Sequence, residues 1–118
     1  AGDLGLIYLT DIILHVDARL HVVFWDGHLT QDRREAVKTT IRTGMNLFDL
    51  RRISAATAES NQPMRQMLRK VGFTIEGVLR QSWQNKDGSV QNAYFFGILR
   101  EELPPCLELS MTSSVPGI

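Results

Sequence analysis

The chain has one cysteine, Cys106, among 118 residues. A lone thiol excludes an internal disulfide and suits a reducing compartment, so the fold must rest on its core. An excess of one charge is also missing. Thirteen Lys and Arg balance thirteen Asp and Glu, for a formal net charge of +0, and nothing in that balance steers the chain toward nucleic acid or an anionic membrane. No apolar run approaches the roughly 20 residues that span a bilayer. The start, Ala1-Gly2-Asp3-Leu4, lacks the basic segment and long apolar stretch of a secretory signal. Ala1 fits removal of an initiator Met, so a complete, unsecreted gene product is the expectation. The three histidines, His15, His21 and His28, have no metal-ligand spacing and no Cys or carboxylate cluster beside them, so satisfied or solvated rings are expected. The basic positions Arg51-Arg52 and Arg65, Arg69 and Lys70 lack the interleaved aromatics of a nucleic-acid platform.

What is present is an ordinary globular balance, 43% apolar and 22% charged, in a chain long enough for one domain with a core. Residues 4–13 and 19–26 read as strands, the second rich in β-branched and aromatic residues. Asp26-Gly27 marks a turn. Thr30 is placed to cap a helix that runs to about Phe48, with Asp32 in its first turn. Val37, Ile41, Gly44 and Phe48 fall at spacings of four, three and four, one face of that helix. Residues 52–57 form a short strand. Asn61 caps a second helix, residues 62–71, with Pro63 in its first turn. Gly72 stands where the helix end calls for positive φ, and Phe73 then enters the core. Residues 73–83 and 90–101 are strands joined by a turn at Lys86-Asp87-Gly88, and Pro104-Pro105 stops the last. The expected fold class is α/β with a mixed sheet, in the order strand, strand, helix, strand, helix, strand, strand. The middle strands are reached by right-handed crossovers and the end pairs are antiparallel hairpins. Residues 1–103 form the domain, and residues 104–118 a Ser-rich tail.

The stretch from Asn61 to Arg80, with its helix, Gly72-Phe73, Glu76-Gly77 and closing Arg, resembles the late part of the GNAT acetyltransferases, above all the branch that acetylates protein N-termini. Leu47-Phe48-Asp49-Leu50-Arg51-Arg52-Ile53 resembles that branch's exit from a helix into the next strand, and Tyr94-Phe95-Phe96-Gly97-Ile98-Leu99 its last strand. The resemblance covers roughly residues 4–101. It implies a GNAT-like fold, acetyl-CoA as cofactor and transfer to an amine. It also implies a pyrophosphate site on the pattern Gln/Arg-x-x-Gly-x-Gly/Ala, where bare backbone N–H groups at a helix start meet phosphate. The matching residues are Gln31, Asp32, Arg33, Arg34, Glu35 and Ala36. Gln31 and Ala36 fit, while Arg34 stands in the glycine's place. Arg33 and Arg34 can instead clasp phosphate with their guanidinium groups. By the same resemblance Asn61 holds the pantetheine arm. The position three residues on, where the family often has Ser, is Met64, and the helix contains no Tyr to act as general acid. Glu76 is the candidate general base, with pairing to an Arg such as Arg80 as its plain structural role.

The family's opening strand, two helices and strand have no counterpart here. The glycine, the proton donor and the acceptor half therefore fail together. The expectation is a GNAT fold that has lost acetyl-CoA chemistry and serves as a structural or assembly subunit. Small GNAT-like genes in tailed bacteriophages make a virion or connector role conceivable, so the place of action is cytoplasmic or virion-associated. The alternative is an acetyl-CoA-dependent N-acyltransferase acting on an amine of a protein or small molecule. The expected partners are further copies or other protein subunits, joined through the open strand at residues 4–13 and the tail, which is apolar at Leu107, Leu109, Met111, Val115 and Ile118.

Overall fold

A computed structural model describes residues 5–24 and 30–103. The turn at Asp26-Gly27, Trp25, His28, Cys106, Pro104-Pro105 and the whole tail lie outside the described residues. Five strands and two helices follow the expected order: β1 (Gly5–Ile13), β2 (Asp17–Phe24), α1 (Gln31–Leu47), β3 (Arg52–Ala58), α2 (Gln62–Val71), β4 (Thr74–Gln84) and β5 (Val90–Leu99). They form one mixed sheet in the order β1-β2-β3-β5-β4. β1 and β2 are an antiparallel hairpin, as are β4 and β5, while β2 and β3 run parallel.

β3 and β4 run the same way, as expected, with β5 between them and paired antiparallel with both. One expectation needs correction: the last strand ends at Leu99 rather than Glu101, and Arg100–Glu102 form a 3-10 turn. There the Glu102 carboxylate accepts from the Leu99 N–H at 3.0 Å, which turns the chain off the sheet.

The helices form where their caps predict. Thr30 accepts from the Arg33 N–H at 3.3 Å, and Asn61 accepts from the Met64 N–H at 3.3 Å. Each satisfies one of the donors left over at a helix start. At the far end of α2, Gly72 has φ 123. Its N–H and that of Phe73 turn back to the Leu68 carbonyl at 3.1 and 2.9 Å, closing the helix as a left-handed cap does. Phe73 is 4% exposed.

Both helices pack on one face of the sheet. Val37, Ile41 and Met45 of α1 and Met67, Leu68 and Val71 of α2 share one core with Leu20, Ile53, Ala55, Phe96 and Ile98. Met45 joins the face read from the sequence, and Phe48, just past the helix, is only partly buried. The other face of the sheet carries Tyr8, Arg19, His21, Arg52, Phe95 and Glu76, and none of these is fully buried.

Phe73→Ala should destabilise the domain by about 3–5 kcal/mol, the cost of deleting a buried aromatic. Gly72→Val should also lower the melting temperature, because a β-branched residue resists positive φ. A shift of only a degree or two for Phe73→Ala in thermal unfolding would contradict this account of the helix-to-strand junction.

Candidate functional site

The parallel pair at the centre of the sheet is joined in register at a single point, Arg19 opposite Ser54. By contrast β3 pairs with β5 at seven positions, Arg52 to Ala58. Beyond Arg19 and Ser54 the two strands part. A cleft of about 250 Å³ opens between them. Its walls include His21 and Val23 of β2, Ala56 and Thr57 of β3, and Asn61 and Met64 of α2. Small residues on β3, Ala55 and Ala56, leave the room. Buried backbone N–H and C=O groups need partners, and each strand has its outer edge satisfied, β2 by β1 and β3 by β5. The inner edges face the cleft.

Topology sets what stands at its mouth. A helix that follows a parallel strand starts at that strand's carboxyl end, so α1 and α2 both begin there, capped by Thr30 and Asn61. Helix starts present N–H groups and partial positive charge. In parallel sheets, ligands bind outside these carboxyl ends.

The residues singled out from the sequence divide here. Asn61 lines the cleft while also capping α2. Gln31, Arg33, Arg34 and Ala36 lie inside α1 rather than on a loop before it. The Arg34 N–H is bonded to the Thr30 carbonyl at 3.0 Å, and Arg33 sits over the Phe24 ring with its guanidinium 4.5 Å from the centroid. Arg34 therefore does not occupy a loop position where bare backbone would meet phosphate.

Glu76 does not line the cleft. It lies at a bulge of β4, between Ile75 and Gly77. Arg52 grips it with two bonds, Nη2 to Oε1 at 2.7 Å and Nη1 to Oε2 at 3.2 Å, so its partner is Arg52 and not Arg80. The pair crosses over β5 at Gly97, where a Cβ would come within 2.6 Å of the Glu76 carboxylate. Arg52 reaches on to Ser54, whose hydroxyl donates to Asp17 at 3.0 Å. The Glu76 hydrogen bonds hold the Arg52 proton more tightly still than in a free guanidinium, with the charges of Glu76 and Asp17 adding to them.

Sequence reading missed His21. Its Nε2 lies 2.6 Å from Thr10 Oγ1, and its ring stacks on Tyr8 with centroids 4.9 Å apart and 14° between the planes. Both rings line the cleft. The signal was present in the hairpin pairing of β1 with β2, since Tyr8 faces His21 directly, but it needed the register to be known. A second missed cluster lies at the far end of α1. Arg100 donates to the carbonyls of Leu50, at 2.8 Å, and Met45, completing the helix end where cations are favoured. Asp49 accepts from His15 Nδ1 at 2.9 Å. That hydrogen bond, with the nearby charges of His15 and Arg100, holds the Asp49 carboxyl below the ordinary range.

The same architecture occurs in solved structures. A GNAT-family acetyltransferase from Bacillus anthracis superposes with a TM-score of 0.71 at 23% identity, over 84% of this chain and 60% of its own length. The chain has the GNAT fold. Ribosomal-protein-S5-alanine acetyltransferase from Vibrio fischeri gives a TM-score of 0.73 at 20% identity, covering 86% of this chain and 57% of that one. Spermidine N-acetyltransferase from Vibrio cholerae, solved in complex with CoA and spermine, gives 0.74 at 21% identity, over 84% and 59%. The chain thus spans less than two thirds of the length of these GNAT structures. No protein-family model matches the sequence, and no curated protein does.

The crossing over Gly97 can be tested directly. Gly97→Ala should push the Arg52 guanidinium off Glu76 and destabilise by about 1 kcal/mol, a modest figure because the pair is half-exposed. In an Arg52→Ala background the same substitution should cost nothing. Equal penalties in the two backgrounds, read by thermal or urea unfolding, would show that Gly97 does not serve the ion pair.

Proposed function

We propose that the chain contributes the acyl-donor half of an acetyl-CoA-dependent N-acyltransferase acting on an amine. The observation that carries this reading is the parted parallel pair, β2 and β3, with the capped starts of α1 and α2 at the mouth of the gap. Support comes from the neighbours: the three relatives above are acetyltransferases, and one of them holds CoA.

The residues present suit such a cofactor. A gap of about 250 Å³ is small for a compact ligand, which takes roughly 300–1,000 Å³. It suits a thin extended arm carrying amides, which can bond to strand edges on either side as an added strand does. Val22 and Val23 of β2 and Ala55 to Thr57 of β3 would line that arm, with Asn61 at its side. The start of α1, at Thr30 and Gln31, would meet the phosphates, with Arg33 and Arg34 supplying charge in the first turns. Asp32, in the same turn, acts against phosphate and tempers affinity. Acetyl-CoA would supply a thioester whose acyl carbon is open to attack by an amine. The sequence-based case for lost chemistry rested on the glycine position, the proton donor and the acceptor half together; at the first of these, Arg34 is a helical residue with its N–H bonded inside the helix. Neither the fold nor the neighbours lends support to a virion role.

A separate observation favours assembly with other chains. β1 is an edge strand, and Leu6, Tyr8, Ile12 and Ile13 on it are 40–57% exposed. Such an edge in water invites pairing. We infer that this strand, with the tail at residues 104–118, joins further copies or other subunits.

Two measurements follow. Titration calorimetry should give one-site acetyl-CoA binding with Kd on the order of 1–100 µM, and Ala56→Trp, which fills the cleft, should abolish it. No heat at saturating protein would end the acyltransferase reading. For assembly, light scattering at ~50 µM should give a mass above the monomer, reduced when residues 106–118 are deleted. A monomeric full-length chain would remove the assembly reading.

A further inference from the structure

We propose that the outward surface of the two helices is a docking face for the phosphate backbone of a nucleic acid, bound without regard to base sequence. The proposal does not depend on the acyltransferase reading. It concerns the side of the helical layer turned away from the sheet.

The net charge of +0 conceals a separation. α1 carries Arg33, Arg34, Lys38 and Arg42 against Asp32 and Glu35, and α2 carries Arg65, Arg69 and Lys70 with no acidic residue. The helical layer thus holds five positive charges in excess, and the rest of the chain carries the balancing negative charge.

The cations of the two layers also differ in their partners. On the sheet, Arg52 meets Glu76 at 2.7 Å and Asp17 at 3.6 Å, and just past β5 Arg100 meets Asp49 at 3.5 Å. On the helices, Lys38 has Glu35 at 3.2 Å. No carboxylate among the described residues pairs with Arg42, Arg65, Arg69 or Lys70. Arg65 lies over the Tyr94 ring, 5.0 Å from its centroid, a contact that leaves the charge in place. A cluster of one sign sets up a field that gathers counter-charge over that surface.

Helix spacing puts these cations in order. Arg34, Lys38 and Arg42 recur every four residues and make one row about 12 Å long. The other flank of α1, with Thr40, Thr43 and Leu47, looks at Leu9 and Ile12 of β1, so the charged row lies on the flank toward α2. There α2 has Met67, Leu68 and Val71 in the core, while Gln62, Gln66, Arg69 and Lys70 are exposed. One strand of a duplex carries a phosphate about every 3.4 Å along the axis, so the row on α1 spans about three or four of them.

The chemistry favours phosphate backbone over other polyanions. Five of the seven helical cations are Arg, whose planar fork takes two phosphate oxygens at once. A lipid surface is entered by the apolar face of a helix, and α2 turns that face to the core. Aromatic rings for stacking are absent among these cations, but backbone contacts need none, and they carry most non-specific binding.

Fluorescence anisotropy of the full chain with labelled random-sequence duplexes of roughly 20 base pairs, in DNA and RNA form, tests this. The Kd should be on the order of 1–100 µM at about 50 mM salt and at least tenfold weaker at about 200 mM. The triple variant Arg42→Gln, Arg69→Gln, Lys70→Gln should bind at least tenfold more weakly and show a salt slope shallower by about 2–3. Its melting temperature, read alongside, separates lost charge from lost fold; should the triple variant unfold, Arg69→Gln and Lys70→Gln singly should each lower the slope by about 1. The control pair Arg80→Gln and Lys86→Gln, on the sheet side, should bind as wild type does. No binding at low salt, wild-type affinity in the folded helix variants, or an equal loss in the control pair would overturn the proposal. So would displacement by poly-glutamate as effective as by unlabelled duplex, which would mark an acidic protein as the partner, or tighter binding to anionic vesicles, which would mark a membrane.

Discussion

Everything that makes this chain more than a packed sheet follows from one constraint: the two parallel strands at its centre are tied at a single register position. A strand can leave its neighbour only if something else satisfies its backbone. β2 is held along its other edge by β1 from Gly5 to Thr10, and β3 by β5 along its full length. The outer hairpins therefore make the central gap tolerable. Below the parting point the sheet is pinned by side chains as well. Asp17 of β2 takes the Ser54 hydroxyl of β3, and Arg52 carries the chain of contacts across β5 to Glu76 on β4. Charge holds the closed end together, and small side chains leave the other end open.

The pinned end also explains Gly97. In a strand, glycine costs conformational entropy and packs nothing. Here it lies between Ser54 and Thr74 in register, under the place where a guanidinium and a carboxylate meet. An Arg–carboxylate pair needs both oxygens and both nitrogens in one plane, and a methyl group from the strand beneath would break that approach. The glycine is thus part of the ion pair, although it carries no charge.

Local chemistry made much of this legible. Thr30, Asn61, Gly72 and the Asp87-Gly88 turn are each read by rules that involve only neighbouring residues, and each stands where those rules put it. The turn is closed by Asn85 N–H to the Ser89 carbonyl at 2.8 Å, with Gly88 at φ 92. What stayed hidden depends on register between distant strands. Glu76 was read against Arg80, four residues away, because sequence shows near neighbours; its partner Arg52 is 24 residues back and reachable only across β5. The insertion of β5 between β3 and β4 is hidden for the same reason, since nothing in either strand names its neighbour. The setting of the phosphate pattern was hidden for another reason. A run of polar residues before an apolar periodicity can be the loop or the first turn of the helix, and the Thr30 cap puts Gln31 to Ala36 in the helix.

His21 shows how far the candidate site escaped a residue-by-residue reading. Spacing along the chain offered no partner, and a lone histidine on a strand is usually solvated. Its setting comes from two independent features of the hairpin. Pairing puts Tyr8 opposite it, and the irregularity after Thr10 lets Asp11 fold back on the Thr10 hydroxyl. Without that irregularity a regular strand would send residues 10 and 11 to opposite faces, and the carboxylate could not reach the hydroxyl. The edge strand thus does two things. Its ladder satisfies β2 so that β2 can part from β3, and it sets the Tyr8 ring against the His21 ring beside the parting.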